Sequence, residues 1–161
     1  GYLPEDNPLY HDMHVIDHLR YLAELYEVPA QHISSRIAET IAFCGLEKEK
    51  KKKIRFLSKG FKQRVGLAAA LIHDPEILIL DEPINGLDPN QILEIRALIK
   101  TLGQTKSIIL ISHILSEIEA LSDRILILHK GKLAAIGTIE DLKQQHHCAN
   151  LETLFSKLTK E

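Results

Sequence analysis

Aromatic side chains make up only 5% of the 161 residues, and none interleaves with the basic run at residues 50–53. The chain therefore lacks the stacking platform that single-stranded nucleic acid requires. Cysteine is equally scarce. Cys44 and Cys148 lie far apart in sequence and belong to no C-x-x-C or related ligand pattern, which argues against a thiolate metal site and fits a reduced cytosolic setting. No apolar stretch approaches the roughly 20 residues needed to cross a bilayer, and no signal peptide is visible, so membrane association is expected through a partner and not by direct insertion. Charge of one sign is also missing. A formal net charge of −2 gives no global reason for nucleic acid or anionic lipid to be the main partner. What remains is 45% hydrophobic and 26% charged, the profile of a soluble chain with enough apolar material for one or two units with a real core.

Apolar residues recur at near-helical spacing over residues 14–27 (Val15, Ile16, Leu19, Leu22, Ala23, Leu25) and 32–46 (Ile33, Ile37, Ile41, Ala42), which predicts two amphipathic helices. Pro29 separates them, and Ser34-Ser35 offers capping hydroxyls for the start of the second. The second half alternates apolar runs with helical patterns. Strands are expected at Ile77–Leu80, Ile108–Ile111 and Ile125–Leu128, with helices over residues 90–102 and 114–121, a βαβαβ order. Gly131 reads as a hairpin turn leading to a strand at Lys132–Ile136, followed by one or two terminal helices. His14 and His18 share a helix face, which is read as solvated and not as a zinc site, since no third ligand is evident. His146-His147-Cys148 is an equally weak metal pattern, and Glu47–Lys53 is read as a charged loop or exposed helix start.

Residues 77–89 carry the chemistry. Ile77–Leu80 is a bare apolar run of the kind that forms buried parallel strands, and open α/β folds keep their ligands at the carboxyl edge of such strands. Asp81 and Glu82 stand at that edge, followed by the turn Pro83-Ile84-Asn85-Gly86-Leu87-Asp88-Pro89. One carboxylate there can hold Mg²⁺ while its neighbour handles the attacking water, an arrangement that points to nucleotide hydrolysis.

This segment resembles the Walker B and D-loop region of ABC-type ATPases, and further motifs follow in the family's order. Leu57-Ser58-Lys59-Gly60-Phe61-Lys62-Gln63-Arg64 looks like the signature motif opening a helix that runs to Ile72, and Ser107–Ser112 with His113 is similar to the strand and switch histidine. Gly1-Tyr2-Leu3-Pro4-Glu5 looks like a Q-loop, with Glu5 where the family normally has Gln. The resemblance implies an α/β fold: the C-terminal part of a P-loop NTPase domain, with a parallel sheet flanked by helices plus an α-helical subdomain. It places the Q-loop segment at residues 1–9, the helical subdomain with its signature at 10–74, and the C-terminal half of the ATPase core at 75–161. The 53 positions between Glu5 and Ser58 are too few for the long coiled-coil insertions of chromosome-maintenance relatives, which favours a transporter-like ATPase.

The roles implied by the resemblance are specific. Asp81 would bind Mg²⁺, with Glu5 as a second carboxylate ligand, and Glu82 would be the general base or water-orienting group. His113 would contact the γ-phosphate end of ATP. Ser58, Lys59 and Gly60 would complete the ATP site of the opposite subunit in a head-to-tail dimer, where a hydroxyl, backbone N–H groups and the helix N-terminus face an anion. Lys59 replaces a glycine of the usual motif, and Phe61 is a second departure. Asp88 would lie at the dimer interface.

These features imply an ATP-binding and ATP-hydrolysing subunit of an ABC exporter that dimerises with itself or a related subunit and drives a transmembrane permease from the cytoplasmic face of the inner membrane. The gliding-motility-associated exporters are the nearest subgroup, on Lys59 and the segments 1–5 and 85–92. Two other readings are a soluble ABC-type ATPase acting on ribosomes or DNA, and a non-catalytic ABC subunit. No Gly-x-x-x-x-Gly-Lys-Ser/Thr phosphate loop occurs in the chain, which therefore reads as a truncated ATPase domain. These 161 residues alone are accordingly expected to bind MgATP only weakly, and titration calorimetry that returned tight binding would contradict this.

Overall fold

The apolar run at residues 77–80 forms, with Asp81, the middle strand of a three-stranded parallel sheet. A computed structural model describes residues 1–160 and shows two units, Gly1–Ile111 and a second beginning at Ser112. In the first unit the sheet order is β1 (Tyr2–Leu3), β2 (Ile77–Asp81), β3 (Ser107–Ile111), with Leu3 opposite Leu80 and Asp81 opposite Ile111. Side chains alternate across the pleat, so Leu78 and Leu80 are fully buried while Ile77 is exposed. The strand is thus parallel, as expected, but buried on one face and not on both.

Helices α1 (Val15–Leu25), α2 (Ala30–Phe43) and α3 (Lys59–Leu71) pack on one another, and α3 also packs on β1. Helix α1 has no side-chain cap at His14. Its first amides instead donate to the carbonyls of Lys52 (from Val15, 3.1 Å) and Lys50 (from Ile16, 3.0 Å), so the lysine-rich loop caps a helix with its backbone; Lys51 and Lys52 stay exposed, while Glu49 is buried and pairs with Lys52 Nζ at 2.8 Å. Helix α2 starts at Ala30, with Pro29 as its N-cap. Ser34 and Ser35 therefore lie inside the helix and do not begin it; Ser35 Oγ donates back to the His32 carbonyl at 2.9 Å. Helix α3 is rich in small residues and buries Val65, Gly66, Leu67, Ala68, Ala70 and Leu71. Its C-terminal carbonyls, at Leu71 and Ile72, accept from the Arg36 guanidinium of α2 at 3.1 and 3.4 Å. After β2, helix α4 (Pro89–Leu102) buries Ile95, Ile99 and Leu102 and returns the chain to β3.

The second unit contains α5 (Leu115–Leu121), β4 (Ile125–His129), β5 (Lys132–Gly137), α6 (Ile139–Gln145) and α7 (Leu151–Thr159). The expected βαβαβ sheet is corrected here. Residues 125–129 do not add a parallel strand; they pair antiparallel with β5, and Tyr2–Leu3 is the third strand of the parallel sheet. The hairpin expected at Gly131 is present: the two-residue loop Lys130-Gly131, with φ of +50° and +73°, closes it and pairs β4 with β5. Ile125, Ile127, Ala135, Ile139, Leu142, Leu151 and Leu154 form the core of this unit.

The reading of His14 and His18 as a shared solvated face is also overturned. His14 is half-buried and bonds Asp17 Oδ2 at 3.1 Å, whereas His18 is 1% exposed and lies edge-on to the Tyr10 ring at 5.7 Å. The helical phase of α1 puts position 18 with Val15, Leu19 and Ala23 on the inward stripe. Burial pushes the His18 imidazole down to about 4. Because the unfolded chain protonates near pH 6.5 and the folded one does not, stability is full above that pH and falls as pH drops from 6.5 to 4. The loss should reach roughly 3 kcal/mol, and His18→Phe, which keeps a ring in place, should flatten the dependence when urea midpoints are compared across that range.

Candidate functional site

The site is built where β2 ends. Asp81 is the last strand residue, and the Glu82 amide extends the ladder by one bond, donating to the Ile111 carbonyl at 2.9 Å. Glu82 then turns the chain with φ +48°, a left-handed conformation that costs a non-glycine residue on the order of 1–3 kcal/mol unless its surroundings enforce it. The surroundings do so here. Asn85 N–H donates to the Glu82 carbonyl at 3.1 Å, Leu87 N–H to the Ile84 carbonyl at 3.3 Å, and Ile84 is buried to 2% exposure as the anchor of the turn. Gly86 takes φ +67°. The two adjacent carboxylates are thereby separated: Asp81 stays with the strand, and Glu82 starts the turn. Both are half-buried.

The register of β1 brings the N-terminal segment to the same edge. With Leu3 opposite Leu80, the chain leaves the sheet beside Asp81, and the Tyr2 hydroxyl donates to Asp81 Oδ2 at 3.4 Å. Glu5 follows two residues later, its Oε1 accepting from Asn85 Nδ2 at 3.1 Å. Glu5 is thus tied to the turn that begins at Glu82.

The segment Ser58–Gly60 reaches this turn as well. Ser58 is the N-cap of α3, its Oγ accepting from the Phe61 amide at 3.3 Å. Gly60 is buried against α4: a Cβ there would lie 2.5–2.7 Å from the Gln91 carboxamide. The exposed Lys59 side chain extends over Gly86, its ammonium occupying the space that a Gly86 Cβ would need. Asp88 is the N-cap of α4, accepting from Gln91 N–H at 3.0 Å, while the Gln91 side chain accepts from the Asp88 amide at 3.4 Å. Glu5, Lys59, Gly60, Asp81, Glu82 and Asp88 therefore gather around residues 81–91. His113 lies in the second unit as an exposed residue on the segment leading into α5, next to Ser112, whose Oγ accepts from the Ile114 amide at 3.1 Å.

Sequence reasoning did not single out Tyr2, Asn85 and Gln91, which hold Asp81, Glu5 and Asp88. The Asp88-x-x-Gln91 spacing was a legible capping box; the other two contacts depend on strand register, which leaves no local signal. The oxygen donors at this edge suit a hard divalent cation. Among the described residues no cluster of three or more His, Cys, Asp or Glu side chains could cage a metal ion, and Mg²⁺, which keeps waters and shares phosphate oxygens, needs only one or two carboxylates. Asp81 at the strand end could supply one such carboxylate, and Glu5 is held on the adjoining turn by Asn85.

The family described as ABC transporter matches residues 1–85, more than half of the chain. The chain belongs to the ABC transporter family. An uncharacterised ABC transporter ATP-binding protein of Nostoc sp. is 43% identical over 145 residues, which cover 88% of this chain and 43% of that protein. The bacitracin transport ATP-binding protein BcrA of Bacillus licheniformis is 47% identical over 117 residues, 71% of this chain and 38% of BcrA. A solved structure of the ATP-binding subunit of an ABC transporter superposes with a TM-score of 0.85 at 32% identity, covering 99% of this chain and 68% of that one. The chain thus spans less than half the length of both sequence relatives. The superposition establishes the ABC ATPase form of the α/β fold. Within it, Asp88→Ala should lose the α4 capping box and lower stability by about 1 kcal/mol, read from the shift in urea unfolding midpoint.

Proposed function

We propose that the full-length protein is the ATP-binding, ATP-hydrolysing subunit of an ABC exporter, coupling ATP-driven dimerisation to movement of a transmembrane permease. The observation that carries this reading is the edge of β2, where Asp81 ends the strand, Glu82 is turned away from it by a left-handed backbone, and Glu5 is held against the same turn. In this reading Glu82 orients the attacking water and accepts its proton. Asp81, helped by Glu5, holds Mg²⁺, which when bound neutralises charge on the phosphate oxygens. His113 donates to the γ-phosphate end of ATP.

Ser58, Lys59 and Gly60 serve the partner subunit's nucleotide. Ser58 Oγ, although it accepts the Phe61 amide, retains a proton to donate, and the N-terminus of α3 adds its positive end with no acidic residue in the first turn. Asp88 lies beside them on the face offered to the second subunit. Residues 10–74 act as the helical subdomain and 75–161 as the C-terminal half of the core. No helix among the described residues is long and apolar enough to cross a membrane. In this reading a partner supplies the transmembrane permease, and the ATPase works at its cytoplasmic face. A relative named for bacitracin transport supports an exporter as the class. The variant signature with Lys59 supports the gliding-motility-associated subgroup within it.

The deciding measurement is the steady-state MgATPase rate of the full-length protein beside Glu82→Gln. A fall of about a hundredfold is expected, the scale of losing a positioned proton acceptor. Equal rates would remove Glu82 from the chemistry. Rates near zero in both, even with the permease present, would favour a non-catalytic subunit.

A further inference from the structure

The stretch between α2 and α3 concentrates charge of one sign. Residues 47–56 hold six cationic side chains and two carboxylates, in a chain whose formal net charge is −2. The fold sorts these charges. Glu49 is buried and pairs with Lys52, and Glu47 pairs with Lys50 at 2.9 Å. Lys48 and Lys51 are exposed and Lys53 is half-buried, and among the described residues these three take part in no ion pair. Arg55 pairs with Asp12 at 2.8 Å, a contact between two exposed side chains that contributes little to stability.

The backbone beneath these charges is held in shape. Besides the two bonds that cap α1, the Ile54 amide donates to the Met13 carbonyl at 3.0 Å and the Arg55 amide to the His11 carbonyl at 2.9 Å. Next in the chain, Phe56 is 71% exposed, and the Arg55 guanidinium lies over its ring, 4.8 Å from the centroid. One exposed ring is ordinary on a protein surface, but this one ends a run of cations. A lone ring offers no succession of stacking faces for nucleic acid bases. Lysine ammoniums are compact point charges on flexible stems, without the fork that grips a single carboxylate, and they suit a plane of many phosphates. An aromatic ring beside them leaves water at the level of the headgroups.

We propose that residues 48–56 form a contact surface for an anionic phospholipid membrane, with Lys48, Lys51 and Lys53 set against headgroup phosphates and Phe56 seated among them. The total charge of the chain conceals this surface, because carboxylates elsewhere outweigh it. Screening over about 8 Å at physiological salt makes a nearby surface respond to the local charge and not to the total. This membrane contact goes beyond the ATPase reading and is independent of it.

The test is co-sedimentation of the purified full-length protein with vesicles, either of phosphatidylcholine alone or holding phosphatidylglycerol as one lipid in three. Wild type is expected to partition onto the anionic vesicles and not onto the neutral ones, and to be released as salt is raised. Lys48→Gln combined with Lys51→Gln should lower the partition onto anionic vesicles about tenfold or more at low salt. Phe56→Ser should lower it about fivefold. Lys48→Arg with Lys51→Arg keeps the charge and should keep wild-type binding. Each variant should stay within about 3 °C of the wild-type thermal midpoint and keep the MgATPase rate measured without lipid. Wild type that partitions equally onto both vesicles, or onto neither, would overturn the membrane contact, as would a double glutamine variant that binds like wild type. Should neither vesicle bind while the double glutamine variant lowers the ATPase rate measured with the permease, the patch belongs to an acidic protein surface and the membrane contact falls. A protein without ATPase activity that still shows the charge-dependent partition would refute the ATPase reading and leave the membrane contact standing.

Discussion

The parallel pairing of Tyr2–Leu3 with Ile79–Leu80 is the interaction on which the first unit depends. It joins the start of the chain to a strand near its middle, and it determines where the intervening helices can go. Helix α3 packs against β1, where Gly66 leaves room for the Leu3 side chain, and is buried around most of its circumference. The same pairing sends residues 4–9 out of the sheet beside Asp81. Without that register neither the Tyr2 hydroxyl nor the Glu5 carboxylate would reach the end of β2.

Around that edge, polar groups hold the local structure together. Ser58 and Asp88 cap helices, Asn85 ties Glu5 to the turn, and Gly60 lets α3 and α4 approach each other at their N-termini. Two helix N-termini and the four carboxylates of Glu5, Asp81, Glu82 and Asp88 are thus collected within one short stretch of the fold. Opposed charges and dipoles of this kind stabilise one another only when geometry is held closely, and the left-handed Glu82 with its buried neighbour Ile84 supplies the rigidity.

Lys59 illustrates how a departure from a motif acquires a physical meaning. The residue stands where a glycine is usual, and its long side chain extends over Gly86 in the turn after Glu82. The N-terminal end of α3 is therefore in contact with the turn that follows Glu82 in the same chain.

The sequence by itself determined most of the local structure. Helical periodicity placed α1 to within two residues at either end, the apolar run marked β2, and the Lys130-Gly131 hairpin and the α4 cap followed from turn and capping chemistry that acts over a few neighbouring residues. The candidate site residues stand in short windows for the same reason, and their roles remain proposals. Tertiary structure alone decided that Tyr2–Leu3 is a strand of the parallel sheet, that His18 is core, and that Tyr2 and Asn85 hold Asp81 and Glu5 in place. Each of these depends on a partner distant in sequence or on a choice between competing partners. A strand of two residues carries no periodicity to detect, and an imidazole fits a solvated face or a packed one until the neighbouring helix is in place.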